Sequence, residues 1–162
     1  MSNWFGRGLY GGLSVGLLTG VALLWLWQPE RQVRNHTQSL FRAVEGRNWE
    51  RLRILIATDY ADQWGHDRSG MIESVRGVFR YVRQVRMSSP NETIQVDERR
   101  ARWAGKIVIE TDQSELGALL KERVNSLSTP FQLEWRRLSA KPWDWKLVRV
   151  SNQGLEIPAE AY

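Results

Sequence analysis

Apolar residues are concentrated near the start of the chain, in a run over residues 9–27 whose most polar members are Ser14 and Thr19. The run contains 19 residues and none of them is charged. At about 1.5 Å of rise per residue, a helix of this length extends about 28 Å, close to the hydrocarbon thickness of a bilayer. Trp4 precedes the run, while Trp25 and Trp27 close it, as is typical of segments whose ends lie among lipid headgroups. The pattern predicts a transmembrane helix.

A cleaved secretory signal peptide is the alternative interpretation of this run. Arg7 would supply its basic flank, but the residues at the end of the run are too bulky to form a small-x-small cleavage site. We therefore expect a tail over residues 1–8, a retained single-pass anchor over residues 9–27 and one folded domain over residues 28–162.

The charges around the span give two opposed arguments about which side of the membrane the domain occupies. Several arginines follow the span closely and only Arg7 precedes it, which favours a cytoplasmic domain by the positive-inside rule. A short tail before a single span is, however, commonly kept inside, and long domains translocate with little regard to charge. We follow the second argument and expect the domain on the extracytoplasmic side.

Four glycines recur at every fourth position through the predicted span: Gly8, Gly12, Gly16 and Gly20. This spacing places them along one stripe of a helix, where a second helix backbone can approach closely. Glycine is also common in membrane helices without any such role. We interpret the stripe as a site of self-association, so that the protein forms a homo-oligomer in the bilayer.

After the span, apolar residues recur at helical spacing in three segments. The first helix is expected to begin at Pro29, because proline suits a first helical turn, and to end near Gly46. The second is expected over residues 49–60 with Asn48 as its N-cap. The third is expected over residues 69–85.

Beyond Pro90 the apolar period changes from helical to alternating. Apolar pairs two positions apart predict strands around residues 94–96, 101–103, 107–109, 131–135 and 145–149. Residues 114–127 return to helical spacing and predict a helical insertion between strands. Helices gathered first and antiparallel strands gathered second indicate an α+β domain of about three helices packed on a bent sheet.

The densest group of reactive side chains follows the second predicted helix: Asp59, Tyr60, Asp62 and His66. In a functional interpretation, one carboxylate is a general base beside the histidine, with a pKa raised by burial. In a structural interpretation, Asp67 or Ser69 caps the third helix and the two earlier aspartates are solvated. We favour the structural interpretation, and the four residues are catalytic candidates only if the protein is an enzyme.

The sequence does not indicate a metal or cofactor site. The chain has no cysteine, and its two histidines, His36 and His66, are far apart in sequence. No phosphate-binding loop or dinucleotide fingerprint occurs.

The chain is basic, with a net charge of +5. Arg76, Arg80 and Arg83 recur along the third predicted helix, but the acidic residues are interspersed and no nucleic-acid-binding motif accompanies the stripe. We expect a solvated face there and no nucleic-acid partner. The arginines next to the span suit anionic lipid headgroups.

Three segments, "NWERLRILIATDYADQWG", "FQLEWRRL" and "WDWKLVRVS", and the order of the elements resemble the nuclear transport factor two-like superfamily. That superfamily includes the ketosteroid isomerase-like and SnoaL-like proteins. The resemblance covers about residues 32–157 and implies a cone-shaped sheet that encloses a pocket. Members are enzymes, ligand binders or assembly modules. Members with one N-terminal membrane helix resemble subunits of type IV secretion systems and accessory proteins of lipid transporters.

These observations lead us to expect a membrane-tethered, non-catalytic module that binds a partner protein or a small apolar ligand. The alternative is a small-molecule isomerase or cyclase that uses a pocket carboxylate. A deep, closed pocket with a buried carboxylate would favour the enzyme, whereas a shallow or filled pocket would favour the module.

Overall fold

The computed structural model describes residues 27–155. Within this range the elements follow one another in the order α1 (Pro29–Glu45), α2 (Trp49–Leu55), α3 (Arg68–Val78), β1 (Val85–Ser88), β2 (Glu92–Asp97), β3 (Arg100–Gly105), β4 (Val108–Thr111), α4 (Glu115–Asn125), β5 (Phe131–Arg137) and β6 (Trp145–Ser151). The α+β class and the helical insertion before β5 are confirmed.

The predicted transmembrane helix lies outside the described residues, except for Trp27 at its end. The glycine stripe (Gly8, Gly12, Gly16 and Gly20) lies outside them as well, so both remain predictions. In residues 27–155, no helix is both long enough and apolar enough to cross a bilayer.

Local interactions explain where α1, the longest described helix, begins and ends. Pro29 occupies the first turn, and the N–H of Gly46 donates to the carbonyl of Arg42 at 3.0 Å. Arg47 follows in the left-handed region at φ 52°, which turns the chain. Asn48 then caps α2, its side chain accepting from the N–H of Arg51 at 2.9 Å.

Four strands form an antiparallel sheet in the order β2-β3-β5-β6, and β1 pairs with β4 in a smaller sheet. A register shift between Glu134 and Trp135 bends the pairing of β5 with β6. The segment that follows α2 lies along the free edge of β6. Ile56 bridges Leu147 in parallel, and the N–H of Ala57 donates to the Leu147 carbonyl at 2.9 Å.

The core lies between α1 and the inner face of the four-stranded sheet. Trp103, Trp135 and Trp145, one each from β3, β5 and β6, are at most 1% exposed. Phe41 meets Trp103 and His36 meets Trp135, each pair edge-on with ring centroids 6.0 Å apart. Two of the three indole rings therefore lie against α1, in the interior where the family resemblance led us to expect a pocket.

The predicted second helix is too long, because α2 ends at Leu55 and not at Tyr60. Ile56 takes an extended backbone conformation, with φ −95° and ψ 135°, and pairs with β6. The apolar spacing beyond Leu55 is helical, but backbone hydrogen bonds to the sheet edge decide the conformation.

The predicted third helix also ends early, at Val78. Val85 is paired with Thr111 as the start of β1, a strand that the periodicity missed. The arginine stripe is consequently wrong as predicted: Arg76 lies on α3, whereas Arg80 and Arg83 lie in the turn after it.

Candidate functional site

The acidic-aromatic segment forms a closed loop between α2 and α3. The N–H of Asp62 donates to the carbonyl of His66 at 3.1 Å, and Gly65 turns the chain at φ +89°, a conformation that favours glycine. Asp67 ends the loop as the N-cap of α3, accepting from the N–H of Gly70 at 2.7 Å. This cap confirms the structural role predicted for Asp67.

The carboxylate of Asp62 is the centre of that loop. Its Oδ1 accepts from the N–H groups of Trp64 and His66 at 2.9 and 2.8 Å. Its Oδ2 lies 3.0 Å from Nδ1 of His66 and 3.5 Å from the hydroxyl of Tyr60. Asp62 and His66 thus meet although α2 does not reach them, because the turn at Gly65 folds the chain back.

Asp62 is buried and His66 is largely buried, whereas the sequence predicts a solvated Asp62. The Asp62 side chain is 3% exposed and that of His66 is 11% exposed, so the predicted solvated position of Asp62 is wrong. Attachment of the preceding segment to β6 draws the loop inward: the N–H groups of Ala61 and Gln63 donate to the Val148 and Val150 carbonyls. The carboxylate is buried and hydrogen-bonded within its own loop.

Electrostatics keep the Tyr60 hydroxyl protonated. Burial raises the pKa of Tyr60 far above its ordinary value, and the negative charge of Asp62 raises this pKa further. The hydroxyl therefore serves as a hydrogen-bond donor. With Asp62 accepting from Nδ1 of His66, the arrangement orients the imidazole in one tautomer.

Asp59 is separate from this group. It is exposed, as predicted, and both of its oxygens lie close to Nη2 of Arg136, at 2.6 and 2.7 Å. The hydrogen bond from Arg136 lowers the pKa of Asp59 below its usual value. The structure therefore assembles Tyr60, Asp62 and His66 but places Asp59 on the outer face of the sheet.

Within residues 27–155, no three histidine or acidic side chains converge as metal ligands would.

A groove of about 410 Å³ lies on the sheet face that points away from α1. Its charged and polar lining comes from alternate positions of three strands: Gln95, Asp97, Arg100, Arg102, Glu134 and Arg136. These positions alternate with the core residues, which is why the same strands present tryptophan inward and arginine outward.

The register of the strands places basic side chains of this groove directly opposite one another. Arg100 lies opposite Arg136, and Arg136 lies opposite Lys146 on its other side. Like charges directly opposite one another destabilise a sheet. Arg136 is paired with Asp59, but in the described part of the chain neither Arg100 nor Arg102 forms an ion pair. Two guanidinium groups of the groove thus lack an ion pair in the described residues, although Arg100 lies opposite Asp97 and Arg102 lies opposite Glu134.

Sequence reasoning did not single out this groove. The signal was present, since Arg100, Arg102 and Arg136 occupy the polar positions of alternating segments. Their convergence depends on which strands are neighbours, and periodicity does not report strand order.

No protein-family model matches the chain, and no curated protein matches its sequence. Solved structures with similar folds include Bd1075 from Bdellovibrio bacteriovorus, which is 9% identical with a TM-score of 0.59. That match covers 77% of this chain but 41% of Bd1075, so this chain spans less than half of that protein.

Two further structures match over most of their own length. A nuclear transport factor 2-like superfamily protein from Salmonella enterica is 11% identical with a TM-score of 0.58, covering 83% of this chain and 97% of that one. A hexachlorocyclohexane dehydrochlorinase from Novosphingobium barchaimii is 13% identical with a TM-score of 0.56, and the match covers 75% of this chain and 82% of that one. At these identities the likeness is one of fold, and the domain has the nuclear transport factor 2-like fold.

Proposed function

We propose that this chain is a non-catalytic, membrane-anchored binding module that holds a carboxylate-bearing segment of a partner protein on the outer face of its sheet. The observation that carries the proposal is the groove with Arg100 and Arg102 beside Arg136. An incoming carboxylate would relieve the repulsion between Arg100 and Arg136 and would gain charge-assisted hydrogen bonds.

The chemistry of the partner is argued from a contact within the chain. Asp59 already engages Arg136 through both carboxylate oxygens on this face. A neighbouring carboxylate supplied by a partner would meet Arg100 and Arg102 in the same way, because a guanidinium group is suited to carboxylate recognition. Asp97 and Glu134 also line the groove and would select against closely spaced negative charges.

The interior supports binding over catalysis. The three buried tryptophans pack in the core, and the Asp62 carboxylate is occupied by hydrogen bonds from its own loop. A general base must be reachable by its substrate.

The proposal is tested with the full chain in detergent micelles and, as the probe, a fluorescent peptide whose glutamates are separated by neutral residues. Arg102→Gln should weaken binding about two- to five-fold, corresponding to about 0.5–1 kcal/mol for an exposed ion pair. Glu134→Gln should strengthen binding, because it removes a like charge from the groove. Fluorescence anisotropy at low and high salt measures both effects.

Arg86→Gln is the matched control, since Arg86 is an exposed arginine on β1 of the other sheet. Equal weakening by Arg86→Gln and Arg102→Gln would mean that net charge alone attracts the peptide, and the groove would lose its proposed role.

An enzyme is the second candidate, and the pairing of Asp62 with His66 at 3.0 Å is the observation that favours it. The similar structure from Novosphingobium barchaimii is a dehydrochlorinase. Diethyl pyrocarbonate followed by mass spectrometry separates the candidates. For a binding module, His66 should react only after unfolding, whereas rapid modification in the folded protein would favour an enzyme with an accessible imidazole.

A further inference from the structure

Large apolar side chains are exposed in more than one place in residues 27–155: Leu116 and Leu119 lie on α4 and Tyr81 follows α3, whereas four others group near the β5–β6 turn. Trp143 is 53% exposed and Leu138 is 49% exposed, both in the turn that joins β5 to β6. Trp27, which precedes α1, is 42% exposed, and Ile54 near the end of α2 is 54% exposed. We call these four residues, with the exposed basic residues Arg99 and Lys141, the hairpin-end surface.

Contacts place these residues at the same end. The backbone of Trp143 lies against His36, two turns into α1, so the start of α1 is beside the β5–β6 turn. Lys146, at the start of β6, donates from Nζ to the carbonyl of Ile54 at 2.8 Å. The N–H of Arg137 donates to the carbonyl of Arg99 at 2.8 Å, which brings the β2–β3 turn to this end as well.

The exposed tryptophan belongs to an ordered turn. The N–H of Leu138 donates to the carbonyl of Asp144 at 3.0 Å, and the N–H of Asp144 donates to the carbonyl of Lys141 at 3.2 Å. Nε1 of Trp145 donates to the carbonyl of Pro142 at 2.9 Å, which fixes the turn to the core. The ordered turn therefore holds the Trp143 side chain in an exposed position. Exposed apolar surface of this kind is typical of a site that contacts another molecule or a membrane.

We infer that the hairpin-end surface lies on the bilayer, with Trp143, Leu138 and Trp27 at the level of the headgroups. The inference rests on the predicted span over residues 9–27, the part of the proposed function that concerns the anchor. The chain enters the described domain at Trp27, nine residues before His36, which lies against the β5–β6 turn, so a span ending there would bring the lipid headgroups close to that turn.

The chemistry of the surface suits a lipid interface better than a protein partner. Tryptophan is enriched at membrane interfaces, and the positive charges of Lys141 and Arg99 are attracted to anionic headgroups. The acidic residues at this end include Asp97 and Glu98 at the β2–β3 turn and Asp144, which lies 3.9 Å from Lys146. The area that a few side chains can bury is far smaller than the roughly 800 Å² per partner that a stable protein interface buries. Tethering makes a weak contact sufficient, because it keeps the local lipid concentration high.

The absence of cysteine from the chain allows a direct test by site-directed spin labelling. Ala140→Cys places a nitroxide in the β5–β6 turn, and Ala118→Cys places one on an exposed position of α4, the helix that leads into the opposite end of β5. The labelled full-length protein is inserted into nanodiscs that contain phosphatidylglycerol. Collision with oxygen and with a nickel chelate is then measured for each label.

We expect the label at residue 140 to collide several-fold more with oxygen than with the nickel chelate, and the label at residue 118 to behave in the opposite way. Trp143→Ser combined with Leu138→Ser should make residue 140 as accessible to nickel as residue 118. A label at residue 140 that is water-accessible in protein that has entered nanodiscs would overturn the inference while leaving the anchor intact. Failure of the protein to enter nanodiscs would overturn both, and gel filtration detects that failure separately.

Discussion

At the scale of single residues, Asp62 concentrates the polar contacts of the loop between α2 and α3. Four donors converge on its two oxygens: the N–H groups of Trp64 and His66, the His66 imidazole and the Tyr60 hydroxyl. A buried acceptor with this many partners stabilises a fold mainly because losing the acceptor leaves buried donors unsatisfied.

Asp62→Asn should therefore lower the free energy of unfolding by about 1–3 kcal/mol, since an amide nitrogen cannot accept from Tyr60 and His66. Thermal unfolding followed by circular dichroism in mild detergent measures the change. Asp59→Asn, at an exposed carboxylate, is the control and should cost less than about 0.5 kcal/mol. Equal effects of the two substitutions would contradict the structural role of Asp62.

The partly buried imidazole of His36 should make the free energy of unfolding depend on pH. Burial against Trp135 lowers the pKa of His36 below its ordinary value of 6.5, and the positive charge of Lys146 acts in the same direction. The unfolded chain therefore binds this proton more readily, and stability should fall as the pH decreases below about 6.5. His36→Gln should remove that part of the decrease, which unfolding midpoints measured at about pH 7.5 and 5.5 would reveal. Parallel pH profiles for the two proteins would exclude this role.

At the scale of elements, close packing at the end of β3 decides where glycine is required. A Cβ at Gly105 would lie 2.8 Å from the ring of Trp103 and 2.9 Å from the carbonyl of Asn91. A Cβ at Gly77, on α3, would meet nothing within 4 Å. The same substitution is thus harmful in one element and harmless in the other.

Gly105→Ala should destabilise the domain by about 1–3 kcal/mol, because the buried indole and a backbone carbonyl must both move. Gly77→Ala should leave stability unchanged or raise it by up to about 1 kcal/mol through helix propensity. Thermal unfolding of the two variants and the parent protein shows whether each substitution lowers or raises stability. A stabilising Gly105→Ala would show that the end of β3 is packed more loosely than described.

At the scale of the whole molecule, the predicted anchor determines how copies of the domain would meet. Close approach of two helices requires small residues along the seam, so bulk at its middle should block association without reducing hydrophobicity. Gly12→Ile and Gly16→Ile should therefore convert crosslinked oligomers to monomers in native membranes. Leu13→Ile and Leu17→Ile, on a different helix face, should change crosslinking much less.

A truncated protein that lacks residues 1–27 separates the sources of association. Crosslinking that persists in the truncated protein would place the contact in the folded domain and leave the glycines without a role in assembly. No crosslinking in any form of the protein would mean that the stripe does not drive self-association.

Features that depend on neighbours within one or two helical turns could be predicted from the sequence alone. Pro29 marked the start of α1 and Asn48 the cap of α2, and Asp67 was one of the two residues expected to cap α3, because a cap bonds to an N–H three residues away. The change from helical to alternating apolar spacing likewise determined the α+β class, since that spacing follows from the local geometry of each element.

Features that depend on distant strands were decided only by the tertiary structure. Pairing with β6 ended α2 at Leu55 and buried Asp62, because the extended edge of a sheet offers backbone partners that a helical pattern does not report. Strand register set Arg100 beside Arg136 and made the outer groove. Residues so far apart along the chain have no local interaction, and only the order and register of the strands between them bring their charges together.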